Sequence, residues 1–153
     1  MKLLIFLLST TLLIQAKEIK HKIIIGAIEK VHLLDVNMVL KARIDTGAKT
    51  TSIDAREITP FERNGVKWVR FTCVNGNKSK TIEKKILRTV EIKRHGTKSQ
   101  NRYVIEMNVM LGTVSRLIQV NLNNRKSYVY PVLIGRNFLR NSFIVDVTLK
   151  RPK

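Results

Sequence analysis

The stretch KARIDTGAKTTSIDA, residues 41–55, carries two of the four aspartates in the chain. Asp45 follows the apolar Ile44 and precedes Thr46 and Gly47, so its carboxylate sits on a tight turn at the end of an apolar run. Such a turn can present a carboxylate into a cleft. Glycine permits close backbone approach, and the stiff, hydroxyl-bearing threonine can fasten the turn by hydrogen bonding. The same carboxylate could instead shape the turn, or pair with one of the many lysines. Far downstream, PVLIGRNFL sets Leu133 and Ile134 before Gly135, Arg136 and Asn137, with Phe138 and Leu139 after them. That pattern is an apolar strand entering a glycine and then a short helix.

Other chemistries find less support. Zinc takes about four ligands, usually with one closely spaced pair. His21, His32, His95 and Cys73 stand far apart, and no H-E-x-x-H occurs. ATP would need a glycine-rich phosphate loop, and none is present. The sequence therefore predicts no metal and no cofactor. Cys73, the one cysteine, lies in the alternating run VKWVRFTCV and reads as a small core residue.

The elements that must position Asp45 read as short strands. IIIGAIEKVHLL suggests two strands about a kink at Gly26, and MVLKARI leads into the aspartate turn. In VKWVRFTCV, Val69, Phe71 and Cys73 share a face, and Asn75 with Gly76 signals a hairpin. RYVIEMNVM puts Tyr103, Ile105, Met107 and Val109 on one face. After a turn at Leu111 and Gly112, RLIQVNL aligns Ile118, Val120 and Leu122. Period-2 patterns separated by turns predict an all-β antiparallel barrel or sandwich. Only GRNFLRNSF reads as a helix, about two turns long.

Taken together, IDTGA (Ile44 to Ala48) and LIGRNFL (Leu133 to Leu139) resemble the retropepsins, the single-domain aspartic proteases, in the right order. The likeness is closer to a bacterial branch often labelled ATP-dependent zinc proteases and associated with ribosomal-modification glutamate ligases. It covers roughly residues 23–150. The resemblance implies a closed barrel of short antiparallel strands with one short C-terminal helix. It implies a homodimeric aspartic endopeptidase in which a water is activated between two Asp45 carboxylates. In that scheme Asp45, Thr46 and Gly47 form the catalytic turn. Ala48 and Lys49, with His95 and Gly96 at the tip of a flap hairpin (residues 90–103), meet substrate. Gly135, Arg136 and Asn137 support the turn. Lys49 stands where retroviral members carry an aspartate that pairs with the arginine, which leaves Asp54 as the candidate partner for Arg136.

At 153 residues the chain makes one domain. MKLLIFLLSTTLLIQA has a charged start, an apolar stretch and Ala16 before a charged run. It predicts a secretory signal over residues 1–16, a domain over 17–153, and a periplasmic or secreted location in a bacterial envelope. The formal net charge of +18 calls for an anionic partner. No nucleic-acid-binding motif accompanies it, so an acidic peptide or an anionic envelope component is the better expectation. The alternative from another class is a retropepsin-fold binding or adaptor module that uses its basic surface without hydrolysis.

Overall fold

The computed structural model describes residues 21–94 and 97–149; the expected signal at 1–16 and the flap-tip residues His95 and Gly96 lie outside them. Along the chain run β1 (Ile23–Ile25), β2 (Ile28–Leu33), a 3-10 turn (Leu34–Val36), β3 (Met38–Ile44), β4 (Thr51–Asp54), β5 (Arg56–Arg63), β6 (Val66–Asn75) and β7 (Lys78–Lys85). Then follow β8 (Arg88–Arg94), β9 (Thr97–Leu111), β10 (Val114–Asn123), β11 (Val132–Ile134), the helix α1 (Arg136–Leu139) and β12 (Phe143–Val145). The all-β expectation holds.

The main sheet runs β10-β4-β11-β3-β2-β9-β8. Strand β9 pairs with both β2 and β10, so six of these strands close on themselves. Closure leaves no free edge along that ring. Alternation explains the filling. In β3, Met38, Leu40, Ala42 and Ile44 are buried and the residues between them are exposed. From β9 and β10, Ile105, Met107, Val109, Ile118, Val120 and Leu122 join the same core. A second sheet, β5-β6-β7, lays Val69, Phe71 and Cys73 against it. Fully burying a side chain such as Phe71 is worth about 1.5–3 kcal/mol.

Three features depart from the sequence expectation. The pairing is mixed: β1 with β12, β4 with β10, and β3 with β11 are parallel. These contacts join strands far apart in sequence, and period-2 patterning carries no information about direction. The β6–β7 hairpin turns one residue later than expected, because Asn75 pairs with Lys78 and Gly76 takes φ of 61°. The helix α1 is four residues long rather than two turns. Arg140 leaves helical geometry with ψ of 140°, and Asn141 takes a positive φ of 69°.

Cys73 sits 1% exposed, and burial pushes its thiol up to about 12, with the Asp54 carboxylate adding to the effect. The thiolate is the reactive form. The native protein should therefore resist a thiol-modifying reagent at pH 8, while the denatured chain takes up one equivalent. Mass analysis after a timed exposure checks this; rapid modification of the native state would contradict the burial.

Candidate active site

The aspartate turn is built where three strands cross. Strand β3 ends at Ile44, the chain turns through Asp45 to Thr50, and β4 begins at Thr51. Strands β3 and β4 are not neighbours. Strand β11 threads between them, parallel to β3 and antiparallel to β4. It enters the turn from behind: Asp45 N–H donates to Ile134 O at 2.9 Å.

Past Ile134 the two segments nearly touch. A Cβ on Gly135 would fall 2.7 Å from the Thr50 carbonyl carbon and 3.0 Å from Ala48 O, so only glycine fits without moving backbone. The contact is then stitched by hydrogen bonds. Arg136 N–H donates to Ala48 O at 2.8 Å and Asn137 N–H to Lys49 O at 3.2 Å. Asn137 Oδ1 accepts from Thr51 N–H and from the Thr51 hydroxyl, both at 2.9 Å, and Asn137 Nδ2 donates to Gln119 O at 2.7 Å. The Thr51 hydroxyl in turn accepts from Gly135 N–H at 3.1 Å. Arg116 closes the far end of α1, donating to Phe138 O and Arg140 O.

Within this frame the Asp45 carboxylate is half-buried. Its Oδ1 accepts from Gly47 N–H at 2.9 Å and Ala48 N–H at 3.1 Å. Oδ2 carries no hydrogen bond from the described residues. Two amide donors hold the carboxylate in one orientation. A Cβ on Gly47 would come within 3.2 Å of Asp45 Oδ1, so glycine keeps the approach to the carboxylate open. Thr46 and Gly47 are exposed at the tip of the turn.

Arg136 corrects one expectation. Its Nη1 donates to Thr46 O at 2.9 Å and Gly47 O at 2.6 Å, bracing the turn through backbone carbonyls. Asp54 is not its partner. That carboxylate lies at the far end of β4, where it accepts from Arg125 N–H at 2.6 Å and Arg56 Nε at 3.2 Å.

Beside the turn, under the β8–β9 hairpin expected as a flap, opens a cleft of about 460 Å³. Its wall holds Ala48, Lys49 and Thr50 from the turn, Val90 and Ile92 from the hairpin, and Arg88, Arg102 and Arg125. A second hollow of about 330 Å³ shares Lys49, Thr50 and Arg88 and adds Arg140. No carboxylate lines either one. Thus Lys49, placed at the site by motif alone, does face the cleft. Thr51, Ser52, Asn121 and the three cleft arginines were not singled out from sequence. Thr51 and Ser52 sat inside the quoted motif, but the arginines are lost among 29 basic residues. Among the described residues no cluster of three or more His, Cys, Asp or Glu is placed to hold a metal.

An aspartate turn gripped by a Gly-Arg-Asn segment, with the strand before it threaded alongside, defines the half-site of a retropepsin-like acid protease. The family described as "Retropepsin-like aspartic endopeptidase RimB" (RimB-like) matches residues 24–153, and the chain belongs to that family. The crystal structure of Lpg0085 from Legionella pneumophila, titled as a protein with unknown function, superposes with a TM-score of 0.72 at 37% identity. The match covers 82% of this chain and 94% of that one. Two curated relatives are named "Probable alpha-L-glutamate ligase". The one from Shewanella pealeana is 38% identical over 111 residues, which is 70% of this chain and 24% of that protein. The one from Parasynechococcus marenigrum is 32% identical over 131 residues, 82% of this chain and 28% of that protein. The chain thus spans about a quarter of the length of these ligases.

Asn137 is the joint of the frame. Asn137→Ala would strand one N–H, one hydroxyl and one carbonyl, and should destabilise the fold by about 2–4 kcal/mol. Lys49→Ala, at an exposed position, should stay within about 0.5 kcal/mol. Urea midpoints at equal slope compare them.

Proposed function

We propose that the protein is an aspartic endopeptidase that works as a homodimer on peptides carrying acidic side chains. The observation that carries the reading is the Asp45 carboxylate, fixed by two backbone amides through one oxygen and open at the other. One chain supplies one such turn, whereas peptide hydrolysis by this chemistry uses two carboxylates. Two copies meeting turn to turn bring the Asp45 pair together, and like charges in contact hold one proton between them.

In the dimer the ionised Asp45 takes a proton from water, and the water oxygen bonds to the scissile carbonyl carbon. The protonated Asp45 donates to the carbonyl oxygen as it becomes a hydroxyl. Collapse of that tetrahedral centre breaks the C–N bond, and the amine leaves with a proton from the dyad. The exposed Thr46 side chains fasten the two turns, Gly47 admits the substrate backbone, and the hairpin excludes water.

The acidic preference follows from charge. Lys49, Arg88, Arg102 and Arg125 line the larger cleft, and no carboxylate is among its described lining. The relatives named as glutamate ligases make glutamyl peptides a natural first substrate to try. We further propose export, motivated by the signal-like residues 1–16; the intact mass of protein from the envelope fraction should lack them, and retention of Met1 would contradict export.

Asp45→Asn should abolish hydrolysis without unfolding the chain, since asparagine tolerates the same turn and keeps an acceptor at Oδ1. Mixed with wild type it should form inactive heterodimers and pull activity below the line expected for dilution. Activity that falls only in proportion to dilution would sink the shared site. A binding module without hydrolysis would instead keep its ligand affinity on Asp45→Asn and show no turnover before or after.

A further inference from the structure

The floor of the cleft is a row across five strands. The register sets Leu133 of β11 beside Ser52 of β4, Ser52 beside Asn121 of β10, Asn121 beside Val104 of β9, and Val104 beside Arg88 of β8. All five line the cleft. Ser52 is 3% exposed, and its hydroxyl has no hydrogen-bond partner in the protein. A buried hydroxyl without a partner costs about 1–3 kcal/mol. Native proteins keep few such groups.

Around this hydroxyl stand three arginines. Arg125 is 7% exposed and is pinned by its own backbone: its N–H donates to Asp54 Oδ1, its Nε donates to Tyr130 O at 3.1 Å, and its guanidinium lies 4.4 Å from the Tyr128 ring centre. The rest of that guanidinium makes no hydrogen bond among the described residues. Arg88 donates only to the neutral Gln119 side chain. Arg102 donates to Gln100 and, at 3.1 Å, to Asn121 Oδ1, which holds it over the floor. The ion pairs of Arg56 with Asp54, Arg63 and Arg70 with Glu83, and Lys84 with Asp35 involve none of the cleft-lining residues.

We infer that Ser52, Arg125 and Arg88 form a seat for one substrate carboxylate, with the Ser52 hydroxyl as the buried donor at its base. The seat rests on the peptidase reading above and deepens it: these residues recognise an acidic side chain and take no part in bond breaking. A carboxylate accepts through two oxygens and about four lone-pair sites, which suits a hydroxyl below and guanidinium groups at the sides. The apolar walls Val90, Ile92, Val104 and Leu133 strengthen each of those bonds by lowering the local dielectric. Burial lowers the proton affinity of Arg125, and a bound anion offsets that penalty.

The test separates recognition from chemistry by using Asp45→Asn protein and a synthetic tri-glutamate peptide, with tri-glutamine as the uncharged control. Calorimetric titration should give measurable binding of tri-glutamate and at least tenfold weaker binding of tri-glutamine. Adding Ser52→Ala should weaken tri-glutamate binding by about tenfold, as for loss of one hydrogen bond to a charged group. It should also leave the melting temperature equal or higher, because an unpaired buried hydroxyl is removed. Arg88→Gln, at the exposed rim, should weaken binding by about three- to tenfold with stability unchanged. Equal affinity for both peptides, or unchanged binding in Ser52→Ala, would overturn the seat. A destabilised Ser52→Ala would overturn it too, since the hydroxyl would then already be partnered. In protein with Asp45 intact, Ser52→Ala should raise KM and spare kcat. Tri-glutamate binding without hydrolysis of any peptide would keep the seat and remove the peptidase.

Discussion

Everything at the candidate active site depends on how closely two stretches of backbone pass each other at Gly135. With no side chain there, the β11–α1 junction lies against the carbonyls of Ala48 and Thr50, and Asn137 can reach both Thr51 of β4 and Gln119 of β10. A methyl group at this crossing would push the segments apart. Three backbone bonds and the Asn137 pairings would lengthen together, since one displacement serves them all. Asp45 is thereby held from behind, at Ile134 O, and from its own loop, by the Gly47 and Ala48 amides. A carboxylate oriented before substrate arrives spends no reorganisation energy during reaction. The short strand β11 and the single-turn α1 exist to make this crossing. Neither is long enough to be stable without it.

Charge is distributed with the same economy. Eleven acidic residues face 29 basic ones, so most cations go unpaired, and where the acids stand matters more than their number. Glu83 holds Arg70 and Arg63, bonds that draw its carboxyl below the usual range. Burial pushes Asp35 upward, but the Asn108 bonds and Lys84 outweigh it, and that carboxylate ties β7 to the 3-10 turn. Asp54 supports the Arg125 backbone from below the cleft rather than neutralising it from within. The result is a cleft whose described lining gathers Lys49, Arg88, Arg102 and Arg125 beside apolar residues, and screening by salt is weaker for partly buried charges than for exposed ones.

Much of this was legible in the sequence, for identifiable reasons. Alternation gave the buried faces of β3, β6, β9 and β10, because each of these strands packs one side on a core. The paired Asp-Thr-Gly and Gly-Arg-Asn segments gave the crossing, because a glycine behind a turn announces close approach. What alternation could not give was direction and neighbourhood. The parallel contacts of β11 and β12 join residues about a hundred positions apart, and the Arg136 side chain found carbonyls where an acidic partner was expected. Asp146 accepts from the Thr148 N–H and hydroxyl, a local turn that lowers its proton affinity. The cleft lining draws on five strands, the turn and the loop after β10, and no window of sequence contains it.

Strand β4 shows how the two halves of the site stay separable. Successive side chains of a strand point to opposite faces. Thr51 turns toward Gly135 and Asn137 and belongs to the frame that fixes Asp45; Ser52 turns the other way, to the cleft floor. Thr51 has every polar atom engaged, while the Ser52 hydroxyl has no partner among the described residues. A fully satisfied hydroxyl is what a structural position needs, and an unsatisfied one is what a position awaiting a ligand needs. The two residues share one backbone yet face different demands, so a substitution at Ser52 can alter recognition while the Thr51 contacts, and with them the geometry of the carboxylate, stay in place. Adjacent positions on a four-residue strand thus divide the frame of the aspartate turn from the cleft floor, and the period of two that made the fold readable is also what keeps the two apart.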